Sequence, residues 1–147
     1  MGGRSGISSR QFVSRYLIDS PVLLWLVDGA RPISTAVRAV LKNESNDLYL
    51  SVVGIAELCI KSSLGKLSLP SAVAGDPEAG FVRILEANSI EPLPLTLPHA
   101  ARLRYLPRHH GDPFDRLMIA QAMEEDLTFV THDRAFAAYE GLAVLWV

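Results

Sequence analysis

The chain has 147 residues, 49% of them hydrophobic, enough to bury the core of one compact domain. Fourteen basic residues against 16 acidic ones give a formal charge of −2, so there is no overall nucleic-acid-binding signature, although a local basic patch is compatible with that total. The longest unbroken apolar run, VLLWLV at 22–27, is far below the roughly 18 residues of a membrane span.

Arginine outnumbers lysine 11 to 3, which suits bidentate phosphate contacts and is equally a compositional habit. Cys59 is the only cysteine, so no intrachain disulfide can form. Its apolar neighbours mark it as a small buried hydrophobe, and the expected location is the cytoplasm. No apolar core follows the first basic residues, so no signal peptide is expected.

In chain order, residues 1–14 are rich in Gly, Ser and Arg and read as a leader without core periodicity. One domain is expected over 15–147. RYLID is a strand ending at Asp19. SPVLLWLVDG follows as a helix, with Ser20 as cap and Pro21 in the first position. ISTAVRAVLKN places Ile33, Val37, Val40 and Leu41 at helical spacing. DLYLSV is a strand, VGIAELCIKSSLGKL a helix to about Gly65, and SLPSAVAGDP a loop. EAGFVRILEAN is a helix and IEPLPL a short strand. LPHAARLRYL is a short helix, and Asp112 to Glu125 a longer one. LTFVT is a strand, HDRAFAAY a brief helix and LAVLWV the last strand. This alternation implies a mostly parallel sheet covered on both faces. In such sheets the functional crevice lies beyond the carboxyl ends of the strands, where Asp19 and Asp133 both fall.

Four acids carry the chemistry that the sequence offers: Asp19, Glu57, Asp115 and Asp133. Asp19 and Asp133 each have a purely structural reading as turn formers or helix caps. Glu57 could be a surface partner of Lys61, a pair contributing only ~0.3–0.5 kcal/mol. Yet it lies close to the helical face of Val53 and Ile60, at the edge of buried surface, where an unpaired carboxylate is costly. In HHGDPFDR, Pro113 fits the first helical position, which makes Asp112 the cap and Asp115 the third helical residue. Two carboxylates ~4 Å apart repel by ~4 kcal/mol at an effective dielectric of ~20. Several on one rim call for a cation, and magnesium or manganese is the hard, oxygen-loving choice. No Cys/His spacing suits zinc. His109 and His110 read as exposed loop residues, and His99 and His132 as surface groups.

Taken together, YLIDSPVLLWLV, SVVGIAELCIKSSLGKLSLP, HHGDPFDRLMIAQA and LTFVTHDRAFAAY resemble the successive motifs of a PIN-domain ribonuclease toxin of the VapC type. The resemblance runs from about Arg15 to the C-terminus. It implies a three-layer α/β/α, Rossmann-like fold with a mostly parallel central sheet. It implies a magnesium- or manganese-dependent endoribonuclease, the toxin of a type II toxin–antitoxin system. Asp19, Glu57, Asp115 and Asp133 match the family's catalytic acids, with Asp19, Asp115 and Asp133 as metal ligands and Ser20, Asp112 and Thr131 in support. Expected partners are RNA, a VapB-like antitoxin and a second copy of the chain. Lys61, Arg116 and Arg134 lie near the acids and are candidates for gripping RNA phosphates. The first motif departs from the usual Asp-Thr-His, reading Asp19-Ser20-Pro21. The hydroxyl is kept; an imidazole and a backbone donor are lost.

Other readings are weaker. A haloacid-dehalogenase-like phosphatase wants a second acid two residues after the first, where Pro21 stands. A response-regulator receiver wants a lysine after a late strand, and no lysine follows Lys66. A degenerate PIN module that only binds RNA or protein is the non-enzyme alternative, and the presence of all four acids counts against it.

Overall fold

The computed structural model describes residues 14–147. The leader expected over 1–14 therefore lies outside the described residues, except for Ser14, whose carbonyl accepts from Asp47 N–H. The elements are β1 (Arg15–Ile18), α1 (Ser20–Asp28), α2 (Thr35–Lys42), β2 (Asp47–Ser51), α3 (Val52–Ser63), α4 (Ser71–Ala74), α5 (Pro77–Ala87), β3 (Ile90–Leu93), α6 (Leu97–Arg102), α7 (Pro113–Glu125), β4 (Thr128–Thr131), a 3-10 turn (Arg134–Ala138) and β5 (Val144–Trp146). The strands form one parallel sheet in the order β3-β2-β1-β4-β5.

Side chains alternate across the strands, and that alternation builds two cores. Ile18, Leu48, Leu50 and Val130 face one side, packed by Val22 and Leu23 of α1, Val37 and Leu41 of α2, and Phe81 and Ile84 of α5. Leu17 and Phe129 face the other, packed by Met118, Ile119 and Ala122 of α7 and by Phe136 and Tyr139. Helix α3 contributes Leu58 to the first core and Val53 to the second. The result is the α/β/α layering the sequence predicts. Among the described residues, no helix is long and apolar enough to cross a membrane.

Two local differences have physical causes. The segment predicted as a loop at 68–77 contains the one-turn helix α4, too short to leave a periodic signal. It lies so close to α5 that a Cβ on Gly80 would stand 2.6 Å from Val73 Cα. At α1 the cap position is Asp19, not Ser20, and Ser20 is the first helical residue. Asp19 makes no side-chain cap bond there, because its carboxylate is engaged across the sheet instead.

Gly54 brings α3 against α1 and α7. A Cβ there would lie 2.1 Å from Ser20 Oγ and 3.3 Å from Met118 Sδ. Gly54→Ala is expected to destabilise the fold by about 1–3 kcal/mol, an overpacking cost read as a lower urea midpoint at unchanged slope. A variant as stable as wild type would show that α3 moves freely at this contact.

Candidate active site

The chain runs from β1 outward through β2 to β3, then returns past β1 to β4 and β5. The gap at the carboxyl ends of β1 and β4 is thus the point where the winding reverses, the usual ligand crevice of an open parallel sheet. Asp19 leaves β1 there, tied by its own N–H to Val130 O at 2.9 Å. A pocket of about 650 Å³ opens above it, lined by Asp19, Glu57, Asp112, Asp115 and Asp133, with Lys61, Trp25, His132 and Arg134 on its walls.

Each acid is held by a different device. Asp19 is 7% exposed and accepts a hydrogen bond from Thr131 Oγ1 at 2.8 Å. Thr131 is itself fully buried at the end of β4, and its Oγ1 also accepts from Asp133 N–H at 3.0 Å. Glu57 comes from α3, which Ser51 starts by accepting from Val53 N–H at 3.0 Å. The Ser51 hydroxyl in turn donates to Gln121 Oε1 at 2.5 Å, linking β2 to α7. Asp112 Oδ1 accepts from Phe114 N–H at 2.9 Å and Asp115 N–H at 3.1 Å, the cap that the Asp-Pro pair predicts. Asp115 then stands in the first turn of α7, where the helix dipole favours negative charge.

The acids converge. One carboxylate oxygen from each of Glu57, Asp112 and Asp115 lies within 4.8 Å of the others. Asp112 is therefore more than a cap: its Oδ1 makes both capping bonds, and its carboxylate also joins the cluster. Asp19 faces the same charges. Burial pushes its carboxyl up to about 7 against the Thr131 bond, with Asp115 and Glu57 adding to the rise. Burial likewise lifts Asp115 to about 6, reinforced by Asp112 and Glu57 and opposed by His110. Lys61 offsets part of the charge through a 2.8 Å ion pair with Glu57, which raises the lysine pKa. Glu57 thus pairs with Lys61 as its spacing predicts, but as a buried group at the pocket and not as a surface partner.

Asp133 sits differently. It is exposed and lines the pocket outside that trio, and its Oδ1 accepts from Ala135 N–H at 2.9 Å to start the 3-10 turn. Ser20 is fully buried, its Oγ turned toward Gly54 and not among the groups lining the pocket, and among the described residues that Oγ has no hydrogen-bond partner. Arg134 stays exposed at the pocket wall, its guanidinium 4.3 Å from the centre of the Trp146 ring.

Three expectations need correction. Arg116 does not reach for RNA: it is 8% exposed and its guanidinium donates to Leu106 O, Pro107 O and Tyr139 Oη. Two backbone carbonyls with no ladder partner claim it first. His99 is not a surface group but fully buried, accepting from Thr96 N–H and lying 2.7 Å from Glu125 Oε2. The Thr96-x-x-His99 spacing, with the side chain reaching back to the cap residue, is the signal that marks it. His110 is half-buried, 3.4 Å from Asp115 Oδ2 and 2.5 Å from Tyr139 Oη. His109 and His132 are exposed, as expected.

The profile of the PIN-domain family matches residues 16–142. This chain belongs to the PIN-domain family. No curated protein matches the sequence. Among solved structures, the PIN fold here is similar to VapBC2 from Rickettsia felis bound to a promoter DNA fragment (17% identity, TM-score 0.64, 89% of this chain and 97% of that one). It is also similar to DNA-bound VapBC from Salmonella typhimurium (18%, 0.62, 91% and 98%). A third likeness is to VapBC-5 from Mycobacterium tuberculosis (20%, 0.57, 91% and 99%), a member of the VapBC family of toxin–antitoxin systems. At these identities the likeness is one of fold, and it spans nearly the whole PIN domain.

The donor set of this PIN domain fits a divalent cation on its own chemistry. Hard carboxylate oxygens converge, and two of the acids have raised pKa values. Crowded acids that resist ionisation are what a bound cation relieves.

Proposed function

We propose that this PIN domain is a divalent-metal-dependent endoribonuclease and the toxin of a VapBC-type pair. The observation that carries the reading is the convergence of Glu57, Asp112 and Asp115 beside a buried Asp19 at the winding switch. In this reading Asp19, Asp112 and Asp115 hold the ion, with Glu57 either joining them or orienting the attacking water. Asp133, on the exposed rim, acts through water. Ser20 and Thr131 support Asp19. A bound magnesium or manganese ion supplies Lewis acidity at the phosphate and lowers the pKa of the attacking water. Arg134 and Lys61 flank the pocket and contact RNA phosphates.

The VapBC complexes with the same fold support a VapB-like antitoxin as partner. A homodimer and a cytoplasmic location complete the proposal.

The test is RNA incubation with magnesium or manganese, with and without a chelator, followed by sequencing of the new ends. The expected result is internal cleavage at defined sites, abolished by chelation and restored by added metal. RNA binding without cleavage under any metal would favour the degenerate module instead.

A further inference from the structure

Resting on the proposed metal site, we propose that His110 is a positioning residue. It holds Asp115 through a directed hydrogen-bond relay that starts at the buried Arg116. The relay has three links. Arg116 Nη1 lies 3.3 Å from Tyr139 Oη, Tyr139 Oη lies 2.5 Å from His110 Nδ1, and His110 Nε2 lies 3.4 Å from Asp115 Oδ2.

Donor and acceptor chemistry gives the relay its direction. Arginine only donates, so Tyr139 Oη accepts from it. Among the described residues, the single phenolic hydrogen then has one polar acceptor in reach, His110 Nδ1. That nitrogen carries no proton, which puts the imidazole hydrogen on Nε2, aimed at the Asp115 carboxylate. The reverse assignment leaves a buried phenol hydrogen without an acceptor and turns a lone pair toward an anion. Tyr139 is 2% exposed, and Arg116 is fixed by two backbone carbonyls, so the start of the relay is rigid. The His110 ring is packed edge-on against Phe136 and Tyr139, at centroid distances of 6.2 and 5.5 Å.

The arrangement parallels the outer-shell partners that orient metal-binding carboxylates. It also explains why Arg116 follows Asp115 directly. One residue belongs to the cluster; the next anchors the device that aims it.

The experiment compares wild type, His110→Ala, His110→Gln and Tyr139→Phe. Manganese affinity is measured by titration, cleavage by kcat and KM for RNA, and the His110 tautomer by long-range proton–nitrogen NMR at neutral pH. His110→Ala is expected to weaken manganese binding by about 10–100-fold. It should lower kcat with KM unchanged. His110→Gln, which keeps a donor near the Asp115 carboxylate, should recover part of both. Wild type should show the Nε2–H tautomer, and Tyr139→Phe should mix the two forms and weaken manganese binding while the fold persists. Unchanged manganese affinity in His110→Ala and Tyr139→Phe, or an Nδ1–H tautomer in wild type, overturns the relay and leaves the metal site standing. A wild-type protein that binds no manganese overturns both.

Discussion

Asp115→Asn and Asp19→Asn are each expected to reduce metal-dependent RNA cleavage about 100-fold or more while the protein stays folded. Asparagine keeps the shape of each side chain and removes its charge. In Asp19→Asn the side-chain oxygen can still accept from Thr131 Oγ1, so the link between β1 and β4 survives. In Asp115→Asn the first turn of α7 keeps its Asp112 cap. What both variants lose is negative charge beside Glu57, and with it the attraction for a divalent ion. Asp133→Asn is the informative contrast. Asp133 is exposed and its Oδ1 is committed to Ala135 N–H, so its replacement should cost less than either of the others. Single-turnover rates on one RNA, at saturating protein and magnesium, separate these cases. Full activity in a purified, folded Asp115→Asn protein would remove Asp115 from the site.

The same substitution at Asp19 is expected to stabilise the metal-free protein at alkaline pH. Burial lifts the Asp19 pKa from 3.8 to about 7, so the folded state binds the proton more tightly than the unfolded chain does. Stability rises with pH where the unfolded state holds more protons; here the folded state holds more, so the slope is negative. Asp19's favourable contribution is therefore complete below its unfolded pKa of 3.8 and is lost as pH rises through about 7. Asp115 acts with the same sign between 3.8 and about 6. At about pH 8 the Asp19→Asn protein, with a neutral side chain in that place, should gain on the order of 1–4 kcal/mol over wild type, read as about 2–4 °C of melting temperature per kcal/mol. The advantage should shrink toward about pH 4, where both side chains are uncharged in the fold. The difference between the two proteins is the diagnostic quantity, because other carboxylates bend both curves alike. Added manganese should reverse the order, stabilising wild type and leaving Asp19→Asn behind. An Asp19→Asn protein less stable than wild type at alkaline pH without metal would contradict the raised pKa.

These two results pull in opposite directions, and the tension is physical. In the proposed reading, Asp19 destabilises the metal-free fold at alkaline pH and serves the metal-bound site. Burying a carboxylate beside other carboxylates makes sense only if a cation compensates them.

Much of this was legible because it is local. An Asp before a Pro at the start of an apolar helical run announces the α7 cap, and Asp115 follows from the spacing. The strand–helix alternation predicts a parallel sheet, and the placing of Asp19 after β1 puts it on the functional rim. The less legible features depend on which groups meet in space. The burial of Arg116 follows from the carbonyls of Leu106 and Pro107, which no helical periodicity reveals. In the sequence His99 reads as a surface group and His110, next to His109, as an exposed loop residue. Each is instead claimed by partners far along the chain, Glu125 in one case and Tyr139 in the other. In the sequence Asp112 reads as a cap with a supporting role, because a cap accounts for one of its oxygens and the sequence is silent about the other. The one-turn helix α4 was too short to show a period.

Anomalous X-ray scattering from crystals of this protein soaked in manganese tests the carboxylate site most directly. The expected result is a peak within bonding distance of carboxylate oxygens from Asp115, Asp112 and Asp19, with Glu57 bound or one water removed, and no such peak in Asp115→Asn. A fully ordered site with no manganese, or a peak that persists unchanged in Asp115→Asn, would contradict it.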